Sequence, residues 1–317
     1  AARAAERLGL PHNAPGAVAR TRDKAAMRAA FAEHEVSQPR FVTIEDPDEA
    51  VAAATTVGFP VVVKPVGLSG SRGVIRADDA TGATEAAHRA AAISDDRRLV
   101  VEQLLDGPEI SVEGLLRGGR LDVLAVFDKP DAPVGPFFEE TIYVTPPRSL
   151  PGAALDAVPR IVADAAAAIG LSEGPIHAEL RAGSDGRLYV LEVAARSIGG
   201  LCARALRFGA GISLEEVILR HALGMALDGI TREPDASGVM MLPITRAGTL
   251  VAVRGQERAR AVPGIVGLEI TIPPGRPLVP LPEGDRYLGF LFARGERPAD
   301  VEHALRAAHR ELEIDVA

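Results

Sequence analysis

Apolar positions recur at helical spacing over Ala1–Leu10, Arg22–His34, Asp46–Val57, Asp79–Ile93 and Pro151–Ile169, and each stretch predicts a helix. Short apolar runs separate them. Ser37–Val42, Phe59–Lys64, Leu99–Glu102 and Ile110–Leu116 predict strands, and Leu121–Phe127 pairs with the last through an Arg117-Gly-Gly-Arg120 turn. Lys129–Pro147 is proline-rich, with Phe137-Phe-Glu-Glu140-Thr-Ile-Tyr143 at its centre. Ser213-Leu-Glu-Glu216 is a capping box that opens a helix to Leu223. From Ser237 the texture changes. A strand (238–244), a helix near Gln256–Ala261, strands at 265–272 and 286–293, a helix at 299–311 and a last strand at 313–316 follow. That βαββαβ order predicts a separate small α+β unit.

One stretch carries chemistry as well as pattern. Two apolar runs flank Gly183-Ser-Asp-Gly186, which predicts a hairpin. If Gly183 pairs with Gly186, Glu179 faces Val190 and His177 faces Glu192, so all three polar side chains share one sheet face. The two carboxylates are then diagonal neighbours, roughly 7–8 Å apart at the backbone. Such a pair can hold one hard cation, and Mg²⁺ bound through one or two carboxylates plus substrate phosphates is the expected form. His177 is placed to orient Glu192.

Upstream, Phe59-Pro-Val-Val-Val-Lys64 runs into Gly67-Leu-Ser-Gly70-Ser-Arg-Gly73 and then a new strand. A strand, a glycine-rich loop and a return strand form a flap whose N–H groups can wrap phosphates. No Gly-Lys-Ser/Thr closes it, so it is not a P-loop, and the glycines recur every third residue with no helix directly after. Lys64 at its mouth calls for an anion once buried. Glu102 ends one strand, and Glu109, Ser111 and Glu113 alternate along one face of the next.

Composition narrows the function classes. The chain has 317 residues, 47% hydrophobic and 25% charged, enough for two or more packed domains. A net charge of −8 with no dense Lys/Arg block points away from nucleic acid and anionic membrane. No apolar run reaches the roughly 18 residues of a membrane span. Cys202 is the single cysteine, so no intrachain disulfide forms, and a reducing cytoplasm is the expected compartment. No Ser/His or Cys/His nucleophile pairing is needed for the chemistry below.

In this order the two lysines Lys24 and Lys64, the flap, Glu102, Glu109, the Glu179/Glu192 hairpin and Arg196 resemble the ATP-grasp superfamily over about residues 21–235. The C-terminal stretch, with Glu257-Arg-Ala-Arg-Ala-Val-Pro-Gly264 and Tyr287-Leu-Gly-Phe, is similar to the C-terminal domain of L-amino-acid ligases, which join two amino acids. Residues 1–20 look like the last helix of a Rossmann-like domain most of which is absent. The resemblance implies an α+β ATP-grasp fold over 21–236, with a flap subdomain at about 58–127, and a C-terminal unit over 237–317.

It also implies roles. Lys24 and Lys64 would contact the nucleotide phosphates, with Lys64 and Arg196 catalytic, and Ser69, Gly70 and Ser71 would cover them. Glu102 and the backbone of Gln103, Leu104 and Leu105 would bind the adenine edge, and Glu109 the ribose. Glu179 and Glu192 would hold Mg²⁺, with Mn²⁺ as a substitute. Glu140, Tyr143, Arg196, Gly199 and Gly200 would bind the amino-acid substrate. The family usually carries an asparagine where this chain has Ala194, which leaves one or two ions open. The implied reaction is ATP-dependent joining of a carboxylate to an amine through an acyl phosphate, on small molecules, with a homodimer compatible. Activation of bicarbonate and nucleotide binding without turnover are the alternatives.

Overall fold

The computed structural model describes residues 2–131 and 135–317. In chain order the elements are α1 (Ala2–Leu8), α2 (Pro15–Arg20), α3 (Lys24–Glu33), β1 (Phe41–Ile44), α4 (Ala50–Val57), β2 (Val61–Pro65), β3 (Ile75–Ala77), α5 (Ala80–Ala92), β4 (Leu99–Gln103) and β5 (Glu109–Arg117). Then come β6 (Arg120–Lys129), β7 (Ile142–Thr145), α6 (Gly152–Ala168), β8 (Gly174–Ala182), β9 (Leu188–Ala194) and α7 (Leu214–Ala222). The chain closes with β10 (Ala236–Leu242), β11 (Gly248–Arg254), α8 (Gln256–Ala261), β12 (Ile265–Ile270), β13 (Pro277–Leu278), β14 (Gly289–Gly295), α9 (Pro298–Arg310) and β15 (Glu313–Val316). The described residues fall into two compact units, 2–124 with 135–138 and 150–197, and 125–131 with 139–149 and 198–317.

In the first unit an antiparallel sheet of order β1-β4-β2-β3 packs against α4 and α5. Alternation explains which residues do what. Val61, Val63, Leu99 and Val101 point into the alanine-rich helices and form the core. The register Val62↔Glu102 and Lys64↔Val100 leaves Glu102 and Lys64 together on the opposite face. Helices α3 and α5 start where Asp23 and Asp79 accept hydrogen bonds from the N–H groups of Ala26 and Gly82. Strands β5, β8 and β9 of the same unit lie side by side, and α6 packs against β9 and α3.

In the second unit β10 is buried along its whole length between β7 and β14, and β12 flanks β14. Helix α9 covers β10 and β14. A small sheet of order β13-β11-β15 stands beside them, and α7 opens at the expected cap, with Ser213 accepting from Glu216 N–H.

Several expectations are corrected. The C-terminal order contains two strands more than βαββαβ. Strand β11 escapes a pattern reading because only Leu250 in it is fully buried, and β13 is two residues long. Strand β7 lies in the proline-rich segment, for which no strand is predicted, and α2 precedes the first site lysine unannounced. The strand placed at 37–42 runs over Phe41–Ile44, after Pro39, which has no N–H to give a ladder. The helix placed at 1–10 is α1, none of whose described residues is buried, and Ala1 lies outside the described residues.

Candidate nucleotide and metal site

The flap, the start of α3 and the end of β9 line one cavity of about 310 Å³ within the first unit. Gly67, Leu68 and Ser69 form one wall, Lys24 and Arg22 a second, and Glu192, Ala194 and Arg196 a third. The flap turns through left-handed backbone at Gly70 (φ 65°), Ser71 (φ 57°) and Gly73 (φ 68°), which folds it back into β3. Lys24 Nζ donates to the carbonyl of Leu68, tying α3 to the flap. Burial lowers the Lys24 pKa and the charge of Lys64 adds to this, while Glu192 and Glu102 oppose it. Arg196 is exposed and donates to the carbonyl of Ser197.

Glu102 is paired within the protein. Its side chain is 1% exposed; Oε1 accepts from Arg28 Nε at 2.8 Å, and Oε2 accepts from Arg28 Nη2 at 3.1 Å and Lys64 Nζ at 2.6 Å. Burial alone would raise its pKa, but the two cations hold it down at about 2. The role given to its side chain at the adenine edge is therefore corrected to that of a buried counter-ion, a consequence of the register that sets it beside Lys64. Next to it the Gln103 and Leu104 N–H groups donate to the carbonyls of Arg40 and Pro60, and Leu105 O accepts from Arg181. The Glu109 carboxylate pairs with Arg181.

The hairpin register differs from the expected one in two places, and the differences compensate. The turn is one residue longer, with Gly183 N–H donating to Arg187 O, so Leu180 faces Val190. A β-bulge then follows, and Glu179 faces Glu192 directly while His177 faces Ala194. The carboxylates are thus opposed rather than diagonal, on one face, where backbones are about 4.5–5.5 Å apart. The same face continues across β5, with Ser111 opposite Glu179 and Glu113 opposite His177. His177 does not orient Glu192. Its Nδ1 meets Glu113 and its Nε2 lies 3.3 Å from Glu179. Burial would lower the His177 pKa, but the two carboxylates raise it to about 10.

The donor set fits a hard cation. Two carboxylates face each other beside Ser111 Oγ, a buried oxygen with no hydrogen-bond partner. Among the described residues no group of three or more His, Cys, Asp or Glu side chains gathers as a metal site. Phosphate oxygens and water would therefore complete the shell of any ion held here.

In the second unit Glu140 is a hub. Its Oε1 accepts from Lys129 Nζ at 2.8 Å and Tyr143 OH at 2.7 Å, and its Oε2 from Tyr287 OH at 3.3 Å. Burial, with the Glu140 charge added, raises the Tyr287 pKa well above its ordinary value. Gly199 and Gly200 belong to this unit too, and Arg196 to the first.

Sequence reading assigns no site role to Arg22, Arg28, Lys129 or Tyr287, although Arg22 stands two residues before Lys24 and Tyr287 opens the Tyr287-Leu-Gly-Phe motif. Arg28 reads as a surface residue of an alanine-rich helix and is 2% exposed.

Two family models match, the ATP-grasp domain over residues 57–205 and L-amino acid ligase C-terminal domain 2 over 240–317. An uncharacterized protein, y4rH, of Sinorhizobium fredii is 24% identical over 316 residues, 98% of this chain and 64% of that protein. A D-alanine–D-alanine ligase of Cupriavidus pinatubonensis is 27% identical over 237 residues, 70% of each. The crystal structure of L-amino acid ligase from Bacillus licheniformis superposes with a TM-score of 0.85 at 28% identity, covering 100% of this chain and 78% of that one. The chain spans 64% of the length of the first of these relatives. No described helix is long and apolar enough to cross a membrane. The chain thus combines an ATP-grasp domain with an L-amino acid ligase C-terminal domain.

Proposed function

We propose that the protein is an ATP-dependent carboxylate–amine ligase that joins amino-acid-like substrates, through an acyl phosphate, into an amide or dipeptide. The observation that carries this reading is the direct opposition of Glu179 and Glu192, with Glu192 in the wall of a cavity shared with Lys24, Arg196 and the flap. Phosphoryl transfer needs positioning and charge neutralisation rather than a covalent group on the protein. Lys24 and Arg196 supply cationic groups for the polyphosphate, the 67–73 backbone covers it, and Lys64 is held on the inner sheet face by Glu102. Glu179 and Glu192 would hold Mg²⁺ (or Mn²⁺), which supplies charge neutralisation at the phosphate oxygens when bound.

A substrate carboxylate oxygen attacks the γ-phosphorus, the bond to the β-bridging oxygen breaks and ADP leaves. The amine, having given up a proton, then attacks the acyl carbon, the acyl C–O bond breaks and inorganic phosphate leaves. Glu140, with Tyr143 beside it, is the group we assign to a substrate ammonium, and the Gly199-Gly200 backbone to a substrate carboxylate.

The C-terminal domain match supports amino acids over bicarbonate as the activated acid. The test is ADP formation screened over amino-acid pairs and bicarbonate, with product mass. Turnover dependent on a pair supports the reading, bicarbonate-dependent turnover replaces it, and the absence of both would leave a nucleotide-binding module. In the active condition Glu192→Ala should abolish ADP formation with an unchanged melting profile, and an active variant would remove the metal-carboxylate assignment.

A further inference from the structure

The bulge in β9 decides whether the site exists. Up to Leu180↔Val190 the ladder is regular. Continued without the bulge, it would set Glu192 against Ala178, on the sheet face opposite Glu179. One extra residue, Leu191, brings Glu192 into register with Glu179 instead. In a regular strand, successive carbonyls point to opposite edges. Here the carbonyls of Val190 and Leu191 both accept from one guanidinium, Arg28 Nη1 at 3.0 Å and Nη2 at 2.8 Å. The same guanidinium donates from Nε and Nη2 to the two oxygens of Glu102, which also holds Lys64, and from Nη1 to Gln38 Oε1 at 3.4 Å.

A fully buried arginine requires partners, and Arg28 divides its own between Glu102, Gln38 and the two carbonyls of this irregularity. An apolar side chain at this position of α3 would fill the space, and a buried ion pair is not in itself a source of stability.

Building on the ATP-dependent reading above, we infer that Arg28 is a positioning residue that clamps the β9 bulge. It thereby sets Glu192 opposite Glu179 and, through Glu102, fixes Lys64 to the same frame. A lysine at this position keeps the charge near Glu102 but, as a point charge without the planar fork, cannot serve the carboxylate and two carbonyls together.

The experiment uses the whole chain, Mn²⁺ and a non-hydrolysable ATP analogue. Mn²⁺ affinity is read by electron paramagnetic resonance with the analogue present, and amide exchange over residues 188–194 is read without ligand. Arg28→Lys should keep a cooperative melt, weaken Mn²⁺ binding at least tenfold and speed exchange at the bulge while leaving β5 and β8 protected. Wild-type Mn²⁺ affinity and exchange in a folded Arg28→Lys would overturn the proposal. If Arg28→Lys does not fold, Arg28→Met/Glu102→Gln, which leaves no buried carboxylate opposite the lost cation, is read the same way. Failure of both to fold would make Arg28 a folding residue and overturn it as well. A wild-type chain that binds neither Mn²⁺ nor analogue would instead refute the ATP reading, with unaltered exchange in Arg28→Lys separately refuting the clamp.

Discussion

Replacing Glu102 by glutamine tests the electrostatic centre of the first unit. The carboxylate is fully buried and neutralises two cations, Arg28 and Lys64, at 2.6–3.1 Å. Glutamine keeps the volume and removes the charge, which leaves two buried cations side by side. The magnitude follows from the pKa. Burial opposes ionisation, but the cations win and lower the group from 4.5 to about 2. At 1.36 kcal/mol per pKa unit this is about 3 kcal/mol, at the lower end of the ~3–5 kcal/mol lost when a buried pair loses one partner.

The sign is that of a depressed acid. The contribution is complete above the unfolded value of 4.5 and is lost as pH falls through about 2. The assay is urea denaturation of wild type and Glu102→Gln, followed by far-ultraviolet circular dichroism at pH 7 and again at about pH 3. The variant should be less stable by ~3 kcal/mol at pH 7, and the gap should narrow at the lower pH. A gap below about 1 kcal/mol at pH 7, the scale of an exposed pair, or one that does not narrow, would refute the buried-counter-ion account.

Other consequences follow from the same structure. His177 has its pKa raised to about 10, so its contribution is complete below about 6.5 and is lost as pH rises through 10; the melting temperature should fall in that window, and His177→Gln should flatten the decline. Glu140→Gln should raise KM for one amino-acid substrate and leave KM for ATP nearly unchanged in steady-state kinetics, and unchanged amino-acid KM values would remove Glu140 from the substrate site. Gly255 has φ 77°, and a Cβ there would overlap the carbonyl oxygen of Glu311. Gly255→Ala should therefore destabilise the second unit by roughly 1–3 kcal/mol in thermal or urea denaturation.

Much of the architecture was readable from the chain alone. Alanine-rich helical periods, β-branched runs and the Gly/Ser loop after Lys64 are local signals, and their order placed α3 to α6, β2 to β5 and the β8–β9 hairpin within a few residues. The same parity that puts Glu179 and Glu192 on one face was legible too, although the register behind it was not. A longer turn and a bulge each shift the pairing by one residue, and no local propensity encodes which residue is left out of a ladder. Arg28 shows the limit most plainly. In the sequence it is a polar residue on a helix, and only packing decides that it is buried, meets Glu102 and takes two successive carbonyls of a strand more than a hundred residues away. The family resemblance implies a place for Glu102 at the adenine edge. The antiparallel register of β2 with β4 turned it inward instead. Sequence determines which groups are available, while which charges are consumed within the protein, and which remain for a ligand, depends on contacts between segments that only the folded chain brings together.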